Sequence, residues 1–271
     1  MLQIYSKVEK ILFFLVSYFL VSVYSQSQGR IVGGGNVQIN SYAFTALISD
    51  HIKNTICSGT LVSPNAVITA AHCLYNTSAK NLGIQISGYS IKNATKFTAS
   101  STVIHKFYDP DSQMNDIGII ILSQPSSIEP ARISSKIITD NMNVKALGWG
   151  TRSNTELVPA KILQEVDLVT APAEQCKTVY PMFEGNGVGL QICTGNTPGK
   201  DTCLGDSGGP LVIYDDDQWK LIGQTSFGAW PDGSKTIGVC GSNDVFGFYT
   251  YIYRYVDFIS TVTNITGDAF F

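Results

Sequence analysis

The chain has 271 residues, of which 44% are hydrophobic and only 14% are charged. This length and composition exclude a disordered chain and allow one large or two small domains with a sizeable core. The 18 Lys and Arg residues are outnumbered by 21 Asp and Glu residues and form no basic run, so nucleic acid is not an expected partner. The 25 glycines and the scarcity of helical periodicity indicate many short strands joined by turns.

The first 25 residues have the pattern of a secretory signal peptide. Lys7 and Lys10 precede an apolar run at residues 11–23, which is too short to span a bilayer comfortably. Val23 and Ser25 offer small side chains at the −3 and −1 positions of a cleavage site. A membrane anchor is the alternative interpretation. We expect a secreted, extracellular protein with no membrane partner after signal removal.

Residues 26–30 form a polar segment that ends in Arg30, and the apolar Ile31 follows. Cleavage after Arg30 by a trypsin-like protease would give Ile31 a free ammonium group. Such a charge is buried only beside a carboxylate, because an unpaired buried charge is very costly, and Asp206 is an available partner. The segment is equally typical of a flexible linker before an ordinary strand, and the residues alone leave both interpretations open.

Six cysteines on a secreted chain indicate three disulfides, and spacing alone leaves all 15 pairings open. They are Cys57, Cys73, Cys176, Cys193, Cys203 and Cys240. The sequence contains no C-x-x-C or H-x-x-x-H pattern, so we expect no metal site and no cofactor.

His72 follows a predicted hairpin at residues 61–70 that turns at 63–65. The next residue is Cys73, and a tethered cysteine would hold a neighbouring base rigid. His51 and His105 lie in polar, loop-like sequence, where we expect surface roles. Taken alone, His72 would by default be a structural histidine.

Asp116 precedes residues 117–122, which have the pattern of a buried strand. A carboxylate at the mouth of such a strand is costly unless it is hydrogen-bonded. It could accept a bond from a histidine N–H and fix the tautomer of that ring. The alternative is a turn-forming aspartate at a strand end.

Ser207 lies within residues 205–210, a run of glycines, Asp, Ser and Pro whose backbone geometry must be special. A serine hydroxyl needs a neighbouring base to act as a nucleophile, and flanking glycines free backbone N–H groups for a substrate oxygen. The alternative is a glycine-rich turn in which Ser207 caps the backbone.

Together these motifs resemble the chymotrypsin-like (trypsin-fold) serine endopeptidases, in family order and over residues 31 to about 260. The matching segments are residues 31–34, 69–73, 116–120, 148–150 and 205–210. The resemblance implies an all-β fold with two six-stranded antiparallel β-barrels, the active site between them, and a short C-terminal helix near 255–262. It divides the chain into a signal peptide at 1–25, an activation peptide at 26–30 and a peptidase domain at 31–271, with the boundary between barrels near 140–150.

The same resemblance assigns a catalytic triad. It implies that Ser207 is the nucleophile, that His72 is the general base and then the acid, and that Asp116 orients His72. The N–H groups of Gly205 and Ser207 would form the oxyanion hole.

The resemblance also implies a zymogen and a disulfide pattern. After cleavage at Arg30, Ile31 and Asp206 would form an ion pair. The implied disulfides are Cys57–Cys73, Cys176–Cys193 and Cys203–Cys240.

Substrate preference is implied by Asp201, which stands six residues before Ser207 and therefore at the base of the primary pocket. A carboxylate there selects Arg or Lys in trypsin-like members, and Gly228 and Gly247 match the pocket walls. The alternative is a solvated acid paired with Lys200. The remaining expected substrate-binding residues are Thr202, Ser226 and Phe227.

Residues 229–239 form a longer loop than digestive trypsins have, so chymotrypsin-like or collagenolytic specificity remains an alternative. A non-catalytic homologue that acts by binding is a further alternative. We expect a monomer whose partners are protein or peptide substrates and protein inhibitors. The glycosylation candidates are Asn76, Asn93 and Asn264, which begin N-x-[ST] sequons.

Overall fold

The computed structural model describes residues 33–39, 41–150, 158–195, 199–231 and 245–271. The predicted signal and activation peptides, with Arg30 and Ile31, lie outside the described residues, as do Cys240 and most of the 229–239 loop. Among the described residues, no helix has the length and apolar character needed to cross a membrane.

Within the described ranges the chain forms thirteen strands and three α-helices. The strands are β1 (Gly35–Asn36), β2 (Thr45–Asp50), β3 (Thr55–Ser63), β4 (Ala66–Thr69), β5 (Leu82–Ile86), β6 (Thr95–Ile104), β7 (Gly118–Leu122), β8 (Asn143–Gly148), β9 (Gln164–Val169), β10 (Gln191–Thr194), β11 (Pro210–Asp215), β12 (Gln218–Ala229) and β13 (Phe246–Tyr251). The helices are α1 (Ala71–Leu74), α2 (Ala173–Val179) and α3 (Val256–Thr263).

Strands β2 to β7 close into an antiparallel barrel in the order β2-β3-β4-β7-β6-β5. Buried and more exposed residues alternate along strands such as β5, so that one face of the sheet turns towards the inside of the barrel. In β5, Leu82, Ile84 and Ile86 are buried, whereas the intervening residues are half-buried. All four residues of β4 are buried, as expected for a strand in the middle of the core. The predicted hairpin at 61–70 is confirmed as β3 and β4.

The remaining strands form a sheet in the order β1-β9-β8-β11-β12-β13-β10. Thr170, directly after β9, forms an isolated bridge with Thr194 at the end of β10, so six of these strands curl into a second ring. The sequence predicted two six-stranded barrels, and the trypsin fold is confirmed. The seventh strand is the two-residue β1, which adds to β9 and is too short to be predicted from the alternation of its residues.

The C-terminal helix α3 is confirmed close to its predicted place. Its buried residues Val256 and Ile259, together with Phe270 beyond it, belong to the same apolar cluster as Leu61 and Ile68 of the first barrel. The end of the chain therefore leaves the second sheet and returns to the first barrel. The helix ends at Asn264, whose φ of +56° is a left-handed C-cap.

Two of the implied disulfides are confirmed as Cys57–Cys73 and Cys176–Cys193. Cys203 is also disulfide-bonded.

The expected surface role of His105 is wrong. Its ring is half-buried and lies edge-on against Tyr255 at 5.4 Å and Phe258 of α3 at 4.9 Å between ring centroids. Burial lowers the pKa of this imidazole, with a smaller contribution from the charge of Lys106. His51 is exposed, as expected.

Candidate active site

His72 and Asp116 form a hydrogen-bonded pair at the ends of two neighbouring barrel strands. His72 lies in α1, directly after β4, and Asp116 lies two residues before β7. The Nδ1 atom of His72 is 2.8 Å from Asp116 Oδ2, and its backbone N–H donates to Asp116 Oδ1 at 3.0 Å. Asp116 is 1% exposed, whereas the His72 side chain is 29% exposed, so the ring can be reached from outside while its partner cannot.

The two side chains set each other's charge. Burial by itself would raise the pKa of the Asp116 carboxyl, but the charge and hydrogen bonds of His72, helped by Ser226, hold that pKa below its ordinary value. Burial by itself would lower the pKa of the His72 imidazole, but the Asp116 carboxylate raises it above its ordinary value. The pair therefore has a carboxylate that stays ionised beside an imidazole that readily takes a proton.

Three side chains of the second sheet reach Asp116. The Oγ of Ser226 donates to the carboxylate oxygen Oδ2 at 2.5 Å. Thr250 Oγ1 and Gln224 Nε2 both donate to the backbone carbonyl of Asp116, each at 2.8 Å. The sequence predicted Ser226 only as a substrate-binding residue and missed Thr250 and Gln224 altogether.

A β-bulge explains why Ser226 reaches Asp116. Between Thr225 and Phe227 the register of β12 with β13 shifts, so that Ser226 is the additional residue. A bulge re-aims the side chain at its position. Phe227, the next residue, instead stacks on Phe248 of β13 at 4.9 Å between ring centroids.

The loop that carries Ser207 requires its glycines. Gly205 has a φ of +92° and Gly208 a φ of +78°, which side chains rarely adopt. A Cβ at Gly208 would lie 2.1 Å from Thr69 Oγ1, so no side chain fits there. Ser207 is half-buried, in contrast to its buried neighbours on both sides.

The loop lies against the segment that carries His72. The Ser207 carbonyl accepts a hydrogen bond of 2.8 Å from the backbone N–H of Ser58, and it lies 3.8 Å from Cys73 Sγ. Cys73 is the neighbour of His72 in the chain. The structure thus brings the predicted nucleophile, base and acid, which the sequence separates, to one end of the first barrel.

The backbone N–H groups of this loop are used unequally. Those of Asp206, Gly208 and Gly209 donate to the carbonyls of other residues. Among the residues that the structure describes, no such hydrogen bond involves the N–H of Gly205 or of Ser207. These two are the groups that the sequence predicted for an oxyanion hole.

Asp206 is fully buried beneath the loop. Its Oδ1 accepts from the N–H of Gly150 and its Oδ2 from the N–H of Cys203, each at 2.8 Å. A Cβ at Gly148 or Gly150 would lie 2.0 to 2.5 Å from the carboxylate oxygens, which explains the Gly-Trp-Gly motif. Burial is the main cause that raises the pKa of Asp206 to about 7, and the charge of Asp201 adds to it.

Asp201, the residue predicted for the base of the primary pocket, lies close enough to the loop for its charge to act on Asp206. Asp201 is 8% exposed, and its charge helps burial to raise the pKa of the Tyr249 hydroxyl. Gly228 and Gly247 are directly opposite each other in β12 and β13. A Cβ at Gly247 would lie 2.9 Å from the side chain of Thr194 in β10, so a side chain there would crowd that neighbouring strand.

One arrangement could suggest a metal site. The ligand atoms of Cys57, His72 and Cys73 lie within 4.8 Å of one another. Cys57 and Cys73 are joined in a disulfide, however, and thiolates rather than disulfides are metal ligands. The disulfide therefore anchors the chain next to His72, and these three residues do not form a metal centre.

Comparison with known proteins agrees with this geometry. The family model described as Trypsin matches residues 31–259. Trypsin eta of Drosophila melanogaster is 29% identical over 273 residues, which cover 92% of this chain and 96% of that protein. Ovochymase of Halocynthia roretzi is 33% identical over 257 residues, covering 89% of this chain and 15% of that protein. Mannan-binding lectin serine protease 1 of Mus musculus is 28% identical over 271 residues, covering 90% of this chain and 37% of that protein.

The chain thus spans well under half of two of these relatives and nearly all of the third. The fold, the matched segment and the relatives agree. This chain belongs to the trypsin family of serine proteases.

Proposed function

We propose that the chain is a secreted serine endopeptidase that cleaves peptide bonds through an acyl-enzyme formed on Ser207. The observation that carries the proposal is the 2.8 Å pair of His72 and the buried Asp116, set beside the Ser207 loop. Because Asp116 occupies the Nδ1 side of the ring, the Nε2 side is left to act on the serine hydroxyl.

The proposed reaction has two halves. In the first, Ser207 Oγ attacks the peptide carbonyl while His72 takes the hydroxyl proton, and the imidazolium then protonates the leaving amine. In the second, water attacks the acyl carbonyl while His72 takes a proton from it. The ester bond to Ser207 Oγ then breaks, and the imidazolium returns the proton to Oγ. Asp116 stays ionised throughout and stabilises the imidazolium. The N–H groups of Gly205 and Ser207 donate to the carbonyl oxygen as it gains negative charge.

We further propose that the preferred residue before the scissile bond is Arg or Lys. The support is the buried carboxylate of Asp201 and the paired glycines 228 and 247, which add no side chain to the pocket wall expected there. Thr202 neighbours Asp201, and the edge segment at Ser226 and Phe227 would pair with the substrate backbone.

We also propose that the protein is made as a zymogen. A buried carboxylate whose pKa is raised to about 7 gains stability from a cation, and cleavage after Arg30 would supply the ammonium of Ile31. We propose a monomer that acts on protein substrates and meets protein inhibitors outside the cell. The sequons at Asn76, Asn93 and Asn264 are all exposed at their asparagine, which glycosylation requires.

The test is covalent labelling of the cleaved protein with a serine-phosphorylating agent, followed by peptide mapping. The proposal expects one label on Ser207, loss of peptide hydrolysis in proportion to labelling, and no label on Ser207→Ala. A cleaved, folded protein that neither reacts nor hydrolyses peptides would instead be the binding homologue.

A further inference from the structure

Gln224 is a fully buried residue of β12 whose side-chain amide reaches out of its own sheet. Its Nε2 donates to the backbone carbonyl of Thr69 at 3.0 Å and to that of Asp116 at 2.8 Å. Both acceptors are carbonyls, so the nitrogen of the amide must face them.

One acceptor residue, Thr69, lies just before His72 in the chain, and the other is Asp116 itself. Thr69 is the last residue of β4, and the chain enters α1 and reaches His72 three residues later. Asp116 stands two residues before β7, which pairs with β4 through Thr69 and Gly118. A single amide from the second sheet therefore ties together the two strand ends of the first barrel that deliver the base and the acid.

We propose that Gln224 is a positioning residue for the His72–Asp116 pair, acting through the carbonyls of Thr69 and Asp116 without touching the substrate. The proposal rests on the proposed function. It assigns to one buried amide the relative placement of the two barrel segments on which proton transfer depends.

The other end of the amide supports this role. The Oε1 atom of Gln224 is buried and has no hydrogen-bond partner among the described residues. A buried polar atom without a partner is costly, and Leu221 and Ile222 of the same strand show that apolar side chains suit this interior. Packing alone does not favour an amide at this position, whereas the two donated bonds require one.

Thr250 provides a second donor to the Asp116 carbonyl, at 2.8 Å. Thr250 lies opposite Gln224 in the pairing of β12 with β13. Because the two donors share one acceptor, removing both should cost more than the product of the single effects on kcat. The carbonyl of Thr69, in contrast, accepts a side-chain hydrogen bond only from Gln224 among the described contacts.

The experiment replaces Gln224 by Met, which keeps the length and removes both donors. We expect kcat to fall by roughly tenfold, with KM for a small peptide substrate changed by less than about twofold. The acid limb of the kcat profile should shift to lower pH, because a less well placed Asp116 raises the pKa of His72 less. Tyr108 and Tyr255 also face Asp116, but burial raises the pKa of both hydroxyls, so they stay neutral in this range.

The matched control is Asn186→Leu. Asn186 is another buried amide, and its Nδ2 donates to the carbonyl of Ala171 and to Asp140, each at 2.8 Å, away from the catalytic pair. This variant should lose thermal stability while its kcat and pH profile match the wild type. Stability loss alone would therefore not produce the result expected for Gln224→Met.

Gln224→Asn serves if the Met variant does not accumulate, because its shorter amide cannot span both carbonyls. Unchanged kcat and an unchanged pH profile in either folded variant would overturn the role of Gln224. All variants are assayed after cleavage at Arg30, and a cleaved wild type that is folded but inactive would instead overturn the proposed function.

Discussion

Ser226 donates a hydrogen bond of 2.5 Å to the Asp116 carboxylate, across the boundary between the second sheet and the first barrel. The accepting oxygen, Oδ2, is the one that also faces His72 Nδ1 at 2.8 Å. The carboxylate is thus held from both halves of the molecule.

Replacing Ser226 by Ala should lower the free energy of unfolding by about 1.5–3 kcal/mol at pH 7, the contribution of a hydrogen bond to a charged group. The pKa of Asp116 is depressed in the folded state, so this contribution is present above the ordinary carboxyl pKa and is lost as the pH falls through the folded pKa. Denaturant unfolding at several pH values measures it. Ser63→Ala is the control, because Ser63 bonds the uncharged Asn65 and its effect should not depend on pH.

Replacing Asp116 by Asn should lower kcat by about four orders of magnitude, because the amide favours the wrong tautomer of His72. In the wild type the pKa of His72 is raised above the ordinary 6.5, and the neutral ring is the active form. Activity should therefore fall as the pH drops through a midpoint above 6.5. Initial rates from pH 5 to 9 give both results, and near-normal turnover of Asp116→Asn would contradict the triad.

Substrate preference should depend on Asp201. With substrates that differ only before the scissile bond, Arg or Lys should exceed Phe, Tyr or Leu by at least roughly tenfold in kcat/KM. Asp201→Ser should remove this preference while Ser207 still reacts with a phosphorylating agent. A wild type that prefers Phe or Leu would show that the 229–239 loop or another part of the cleft determines specificity.

Replacing Gly208 by Ala should abolish activity, because the new Cβ would lie 2.1 Å from Thr69 Oγ1 on a backbone with a φ of +78°. The Ser207 loop would have to move away from Thr69. Gly35→Ala is a control in which a Cβ would meet no atom within 4 Å, and it should leave activity unchanged. Equal activity in the two variants would contradict the described loop.

Activation should require Arg30. Arg30→Gln should yield a secreted protein that trypsin-like proteases do not activate, because Ile31 then gains no ammonium to pair with Asp206. The buried carboxylate, with its pKa raised from the ordinary 3.8 to about 7, should also make the uncleaved form lose stability relative to the cleaved form as the pH rises from 3.8 to about 7, with no further loss above that range. Thermal unfolding of both forms from acidic to neutral pH measures this difference.

The sequence predicted the parts of the site that are written in contiguous residues. The Ser207 loop is an example, because its glycines are required by backbone geometry that a short segment defines. Thr250 and Gln224 could not be predicted, because they meet Asp116 across 134 and 108 positions of the chain. In the sequence each is only one polar residue in a strand. His105 was misjudged for the same reason, since its aromatic neighbours Tyr255 and Phe258 come about 150 positions later.

The return of the C-terminal segment to the first barrel affects how the protein is made. Val256, Ile259 and Phe270 join a core that includes Leu47 and Leu61 of the first barrel, which are synthesised much earlier. While these last residues are still inside the ribosome, the first barrel lacks part of its apolar filling. The first barrel is therefore expected to complete its folding only after these core residues have been synthesised.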